Sequence, residues 1–347
     1  MRSPRFTIAG LTAIAIVGVS LASVSLAGQA GPGPARRAGP AATSAPRTAW
    51  GAPDLQGTWS TATVTPLERP AGAGEFLTDA EIAEIERRAV AAATDEARGA
   101  DQASDVAGAY NDFWWDRGTR VVGNRRTSLI FDPRDGKIPA LTPAARKYAD
   151  SPEARRVQET RRGNFPAASW EDTDLWDRCL TRGLPMLSGP YNNNFQIFQT
   201  SDYLVVLHEM IHDARIIPIG KRADVAPAVP QWFGTATARW EGDTLVVDTK
   251  DFSPKQELPF EPRMSAGGLH LTERFTRLND GTLNYEFTVD HPAIYSRPWT
   301  AAIPMRRSEG SIYEYACHEG NYGIVGILKG SRATEKAAAD AARTGSR

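Results

Sequence analysis

The chain has 347 residues, 41% hydrophobic and 23% charged, and its 40 Lys and Arg nearly cancel its 41 Asp and Glu. This balance suits a folded protein with a sizeable core and excludes a fully disordered chain, and the lack of a basic stripe argues against nucleic acid as a partner. Two Cys exclude a disulfide-framework miniprotein and any Cys-rich zinc or iron–sulfur module.

Residues 1–27 read as a signal peptide. Arg2 and Arg5 precede an uncharged apolar run, Phe6 to Leu26, which ends in small residues at Ser25-Leu26-Ala27. The run is long enough for an uncleaved anchor, but its Ala, Gly, Ser and Thr content favours cleavage. The expectation is a periplasmic or secreted protein with no membrane contact beyond that leader. Residues 28–49 are a Gly/Pro/Ala/Arg tether with too little apolar surface to order itself.

One domain is expected over 50–329. Asp54-Leu55-Gln56-Gly57-Thr58-Trp59 leads into a strand. A helical and irregular insertion follows at about 75–165. Thr78 with Glu81 forms a capping box there, and Thr142-Pro143 and Ser151-Pro152 are helix starts. From Tyr191 the period becomes two. Strands are expected at Phe195–Phe198, Tyr203–Leu207, Ala214–Ile219, Thr235–Trp240, Thr244–Val247, Leu269–Phe275, Thr282–Val289, Trp299–Met305 and Ser311–Cys317. Glu241-Gly242-Asp243, Asn279-Asp280-Gly281 and Glu309-Gly310 supply short turns. A meander this long closes to remove its edges, so the fold expected is mainly β: an up-and-down antiparallel barrel of lipocalin-like kind with the helical segment packed on it. Residues 330–347 read as a polar tail.

The simplest reading of Cys179 and Cys317 in an oxidising space is one disulfide closing a long loop. The alternative, Cys317 as a nucleophile beside His318, meets the objection that strand neighbours point to opposite faces.

His208-Glu209-Met210-Ile211-His212 matches H-E-x-x-H, which binds zinc when a helix puts both imidazoles on one side. The flanking runs favour strand, where the two side chains would stand about 13 Å apart. No cofactor is therefore expected, and a metal ion held by His208, His212 and His318 ranks second. The stronger constellation is His208, Glu209, His212 and Asp213 at one strand end with Glu314 and His318 at another. If these ends share one mouth, imidazoles and carboxylates surround one cavity, as general acid–base chemistry needs. Tyr191, Asn194, Arg215, Trp114, Trp115 and Tyr315 are the candidate substrate contacts, with aromatic faces suited to a ring or sugar. Rim residues are commonly polar for solvation alone, which is the competing explanation. No G-x-S-x-G elbow, P-loop or G-x-G-x-x-G is present.

Tyr191–Asn194, HEMIHDARIIP at 208–218, WEGDTLVV at 240–247, LHLTERF at 269–275, Arg297–Thr300 and YEYACHEGNY at 313–322 together resemble a large group of exported proteins from soil bacteria. The resemblance spans nearly the whole mature chain and implies export and one shared architecture, with no assigned reaction. Gly57-Thr58-Trp59 is also similar to the first strand of lipocalin-like barrels, which is a likeness of fold. Two functions follow as expectations. One is a lyase, isomerase or hydrolase acting on a partly apolar metabolite or glycoside in a barrel cavity. The other is a barrel that binds such a molecule without reaction.

Overall fold

The computed structural model describes residues 45–93, 116, 118–220 and 229–345. The leader at 1–27, most of the tether, and Trp114 and Trp115 lie outside the described residues.

The period-2 runs form the strands expected of them. The first is β1 (Gly57–Ser60), and β2 (Ile130–Asp132) is a short addition on the side of the sheet. The meander follows as β3 (Asn194–Gln199), β4 (Tyr203–His208), β5 (Ala214–Pro218), β6 (Thr235–Glu241) and β7 (Thr244–Lys250). It continues through β8 (His270–Asn279), β9 (Thr282–Asp290) and β10 (Trp299–Arg307). Nine strands pair in the order β5-β4-β3-β1-β10-β9-β8-β7-β6. β1 sits between β3 and β10, with Trp59 opposite both Phe195 and Arg307, so the Gly57-Thr58-Trp59 strand joins the meander as expected. The two ends of the order meet at a parallel bridge between Ile219 and Ala238, where the Gly220 N–H donates to the Ala238 carbonyl at 2.8 Å. The result is a nearly closed antiparallel barrel.

Alternation puts one face of every strand inside. Leu271, Glu273 and Phe275 on β8 and Leu283, Tyr285, Phe287 and Val289 on β9 are all fully buried. All of these but Glu273 join Trp59, Ile197, Leu204, Val206, Ile217, Leu245, Val247 and Trp299 in one apolar cluster that fills the lumen. Arg277 lies over the Trp59 ring at 4.5 Å and donates to the Asp54 and Asp280 carbonyls, which seals that end. His270 alternates with Leu271 and so faces outward, with Nε2 3.1 Å from Asp248 Oδ1.

The helices start where their caps are. Thr78 and Glu81 bond each other's backbone N–H at α1 (Asp79–Ala92). Thr142 and Ser151 cap α2 (Pro143–Ala149) and α3 (Pro152–Arg161). Residues read as a polar tail from 330 continue a helix, α4 (Tyr322–Gly345). No helix among the described residues is long and apolar enough to cross a membrane.

Ser311–Cys317 is not a strand, which corrects the sequence reading. With β1 inserted, both sides of β10 are occupied, and the segment that leaves it has no free edge to pair with. It forms an irregular strap instead. Ser308 N–H still bonds the Thr58 carbonyl, but by Tyr313 the backbone donates to the Glu209 carboxylate, beyond the end of β4. Cys317 then bonds Cys179, with Cα atoms 5.6 Å apart and a sequence separation of 138.

One polar group crosses the apolar lumen. Arg215 pairs with Glu273 through two hydrogen bonds of 3.0 and 2.6 Å, and both side chains are essentially without solvent contact. The Tyr285 hydroxyl donates to Glu273 Oε1 at 2.9 Å and accepts from the Met186 N–H. Removing one partner strands a charge in low dielectric, whereas removing both does not. Arg215→Met is therefore expected to lose about 3–5 kcal/mol, and Arg215→Met with Glu273→Met to lose clearly less, in urea unfolding of the two variants. Reduction of Cys179–Cys317 frees a long loop in the unfolded chain, and is expected to lower stability by about 5 kcal/mol in denaturant titrations with and without reductant.

Candidate active site at the barrel rim

The H-E-x-x-H residues form the turn from β4 to β5. His208 ends β4, and its N–H donates to the Asp213 carbonyl at 2.8 Å. The chain reverses at Ile211 and His212, both left-handed with φ 64° and 48°. A β-branched residue rarely adopts that conformation, which costs about 1–3 kcal/mol and persists only where packing enforces it. Ile211 is 2% exposed, and its burial supplies that enforcement. The reversal sends the two imidazoles to different places. His208 is buried, edge-on to Phe195 at 4.8 Å and tilted against Phe233 at 5.3 Å. Burial, with the Arg215 charge beside it, pushes its pKa down to about 3. His212 emerges at the rim.

Glu209 is buried and fully engaged. It accepts the Asn194 N–H and side-chain amide on one oxygen and the Tyr313 N–H on the other. It thus ties the start of β3 and the strap to the turn. Asn194 is committed to that tie, and Arg215 to Glu273.

The remaining rim groups assemble into a continuous set of contacts. His212 Nδ1 lies 2.9 Å from the Tyr315 carbonyl. A carbonyl only accepts, so Nδ1 carries the hydrogen, and in the neutral ring Nε2 is the nitrogen with the lone pair. The His318 ring meets the His212 ring edge-on, centroids 6.0 Å apart. Tyr315 stacks on Tyr191 at 6.4 Å, and Tyr191 leans on Trp176 at 6.0 Å. Trp176 donates its indole N–H to the Tyr315 hydroxyl at 3.4 Å. Burial first, then the Tyr315 hydroxyl, pushes the Tyr191 pKa up to about 12, so Tyr191 stays a neutral phenol. Arg182 caps the Trp176 ring at 3.9 Å, and its neighbour Thr181 hydrogen-bonds the Asp213 carboxylate.

Asp213 is half-buried between these groups. Desolvation pushes its pKa up to about 6, against the opposing pull of the Thr181 hydroxyl and the His212 and His318 imidazoles. It borders a cleft of about 280 Å³ at the β5–β6 seam, whose walls include Leu180, Trp232 and Phe233. The structure thus brings together His212, Asp213, His318, Tyr191 and Tyr315. It separates His208 into the lumen, holds Glu209, Asn194 and Arg215 in structural contacts, and leaves Glu314 exposed on the strap. Among the described residues no group of three or more His, Cys, Asp or Glu side chains is arranged to hold a metal ion.

The sequence pointed to Trp232-Phe233 as pocket walls, but not to Trp176, Thr181 or Arg182. The available signal was position: Trp176, Thr181 and Arg182 lie within three residues of Cys179, and a disulfide to the strap brings that segment to the rim. Comparison with protein-family models, curated proteins and solved structures finds no match.

The two shifted groups act on stability in opposite directions. Asp213, raised from 3.8 to about 6, contributes stability below pH 4 that is lost as pH rises through 6. His208, lowered from 6.5 to about 3, contributes stability above pH 6.5 that is lost as pH falls towards 3. Asp213→Asn should therefore gain on the wild type between pH 4 and 6 as pH rises. His208→Phe should gain on it between pH 6.5 and 3 as pH falls, by about 3–5 kcal/mol. Unfolding midpoints of both variants at pH 3, 5 and 7 check the two signs.

Proposed function

We propose that the protein is an enzyme performing acid–base chemistry on a small, partly apolar molecule at this rim, a reaction of the lyase, isomerase or hydrolase kind. The observation that carries the reading is Asp213, a carboxylate with a pKa near 6 beside two imidazoles and at the edge of an aromatic-walled cleft. Such a group is part acid and part base at near-neutral pH, where general catalysis is most effective. His212, with its hydrogen held on Nδ1 by the Tyr315 carbonyl, offers Nε2 as the proton acceptor. Asp213 then returns a proton to the departing or rearranging oxygen. Trp232 and Phe233 wall the seam cleft that Asp213 borders, and Tyr191 and Tyr315 add aromatic faces beside His212. The lumen is filled, so the reading puts the substrate at the rim and seam and not within a central calyx.

The rest of the machinery follows from contacts already described. Glu209 and the disulfide hold the strap, and with it Tyr315 and His318, against the β4–β5 turn. A position shift of even 1 Å in such groups is costly to catalysis, so this clamping matters to rate as well as to stability.

Asp213→Asn and His212→Gln are each expected to lower turnover by roughly 10²–10⁴-fold on a substrate found by screening partly apolar metabolites, with thermal unfolding intact. The acid limb of the wild-type pH profile should fall near 6. Full turnover in both variants would remove the acid–base assignment, and tight binding of a screened molecule with no product would favour the carrier function instead.

A further inference from the structure

One cation of the rim has no anion. Arg182 is half-buried, and among the described residues no carboxylate pairs with it. The nearest acid acting on it, Asp174, is committed elsewhere: one oxygen accepts from Arg263 at 3.1 Å and the other from the Asp177 N–H at 2.8 Å. Glu257, on the same side, is taken by both terminal nitrogens of Arg161. A guanidinium withdrawn from water without a counter-charge is unfavourable unless something completes it. Burial pushes its pKa below the ordinary arginine value, as expected for a cation awaiting an anion.

The surroundings describe the missing partner. Arg182 borders two clefts at once, one of about 80 Å³ shared with Trp176 and Gln256 and one of about 40 Å³ shared with Tyr191 and His208. These volumes admit a carboxylate-sized group and little more. His208 Nε2 is buried without a hydrogen-bond partner at the second cleft, so that cleft is fitted for a polar guest. The guanidinium carbon lies over the Trp176 ring, 3.9 Å from its centroid, a contact that uses none of the N–H donors a planar bidentate acceptor would take. Beside it stand the Tyr191 and Tyr315 rings, stacked with planes 21° apart, a wall suited to a flat molecule.

We infer that the rim site takes a small, flat carboxylic acid, with its carboxylate on Arg182 and its apolar body against Tyr191 and Tyr315. The inference rests on the acid–base reading only for calling this molecule a substrate; the anion site itself stands on Arg182 and its clefts. Arg263, Asp174 and Glu257 also line the first cleft, but Arg263 is paired with Asp174 and Glu257 with Arg161. That leaves Arg182 as its one unpaired guanidinium among the described residues, and one fork suits one carboxylate better than a phosphoryl group, which commonly draws several donors.

The test uses the full mature chain and isothermal titration with benzoate and with its neutral counterpart benzamide. Benzoate is expected to bind at least tenfold more tightly than benzamide. Arg182→Met should abolish that preference, and Arg182→Lys, which keeps the charge without the fork, should retain part of it. Unchanged thermal midpoints show that the variants fold. Equal affinity for benzoate and benzamide, no detectable benzoate binding, or a preference that survives in Arg182→Met would overturn the anion site. Turnover in Asp213→Asn separates the two proposals. A benzoate preference through Arg182 with full turnover in that variant leaves the anion site and removes the acid–base role, and the reverse pattern removes only the anion site.

Discussion

An odd number of alternating strands cannot close on itself with every neighbour antiparallel. Nine strands follow one another here in up-and-down order, so one pair must run the same way, and that pair is β5 and β6. The seam carries a single parallel bridge where the other neighbours carry ladders of two to nine residue pairs. Weak pairing leaves a gap on the barrel wall, and the cleft bordered by Asp213 lies in that gap. The site is therefore a consequence of strand parity as much as of the residues that line it.

The seam also explains the placement of charge inside the barrel. Arg215 lies on β5, at the weak side of the ring, and reaches across the lumen to Glu273 on β8. A pair without solvent contact gains little net energy, since desolvation offsets attraction. Its geometric effect is larger. It joins the wall beside the gap to the well-paired half of the barrel, and Tyr285 extends the tie to the segment at Met186. Burial first, and this same guanidinium second, keep His208 neutral, so the buried imidazole adds no second charge to the lumen.

The strap works from outside. It leaves β10 with no edge to join, and its polar backbone is satisfied piecemeal, by the Glu209 carboxylate, by its own turn at Tyr315 and Cys317 and by the His212 ring, while the disulfide anchors its far end. Each attachment fixes a rim side chain. Tyr315 lands on Tyr191, its carbonyl on His212, and His318 against the His212 ring. Glu209 and Asp213 are four residues apart and both are partly or wholly withdrawn from water, yet their roles diverge. Three N–H donors saturate Glu209, while burial pushes the Asp213 pKa up with only partial relief from the Thr181 hydroxyl.

Local chemistry was legible in the chain. Period-two runs marked eight meander strands, Gly242 and Gly281 marked tight turns, Thr78 with Glu81 marked a helix start, and a lone pair of cysteines marked their bond. Those features depend on neighbours a few residues away or on a count, so sequence by itself determined them. The strand expected at 311–317 failed because its hydrogen-bond partners depended on β1 having taken the last edge, a long-range fact. The same holds for the site. His208 and His212 part company because of two left-handed residues, and Arg182 meets Trp176 and the rim because of a bond to a cysteine 138 residues away. Which groups face one cleft is set by closure of the ring, and closure is a property of the whole sheet that no local pattern encodes.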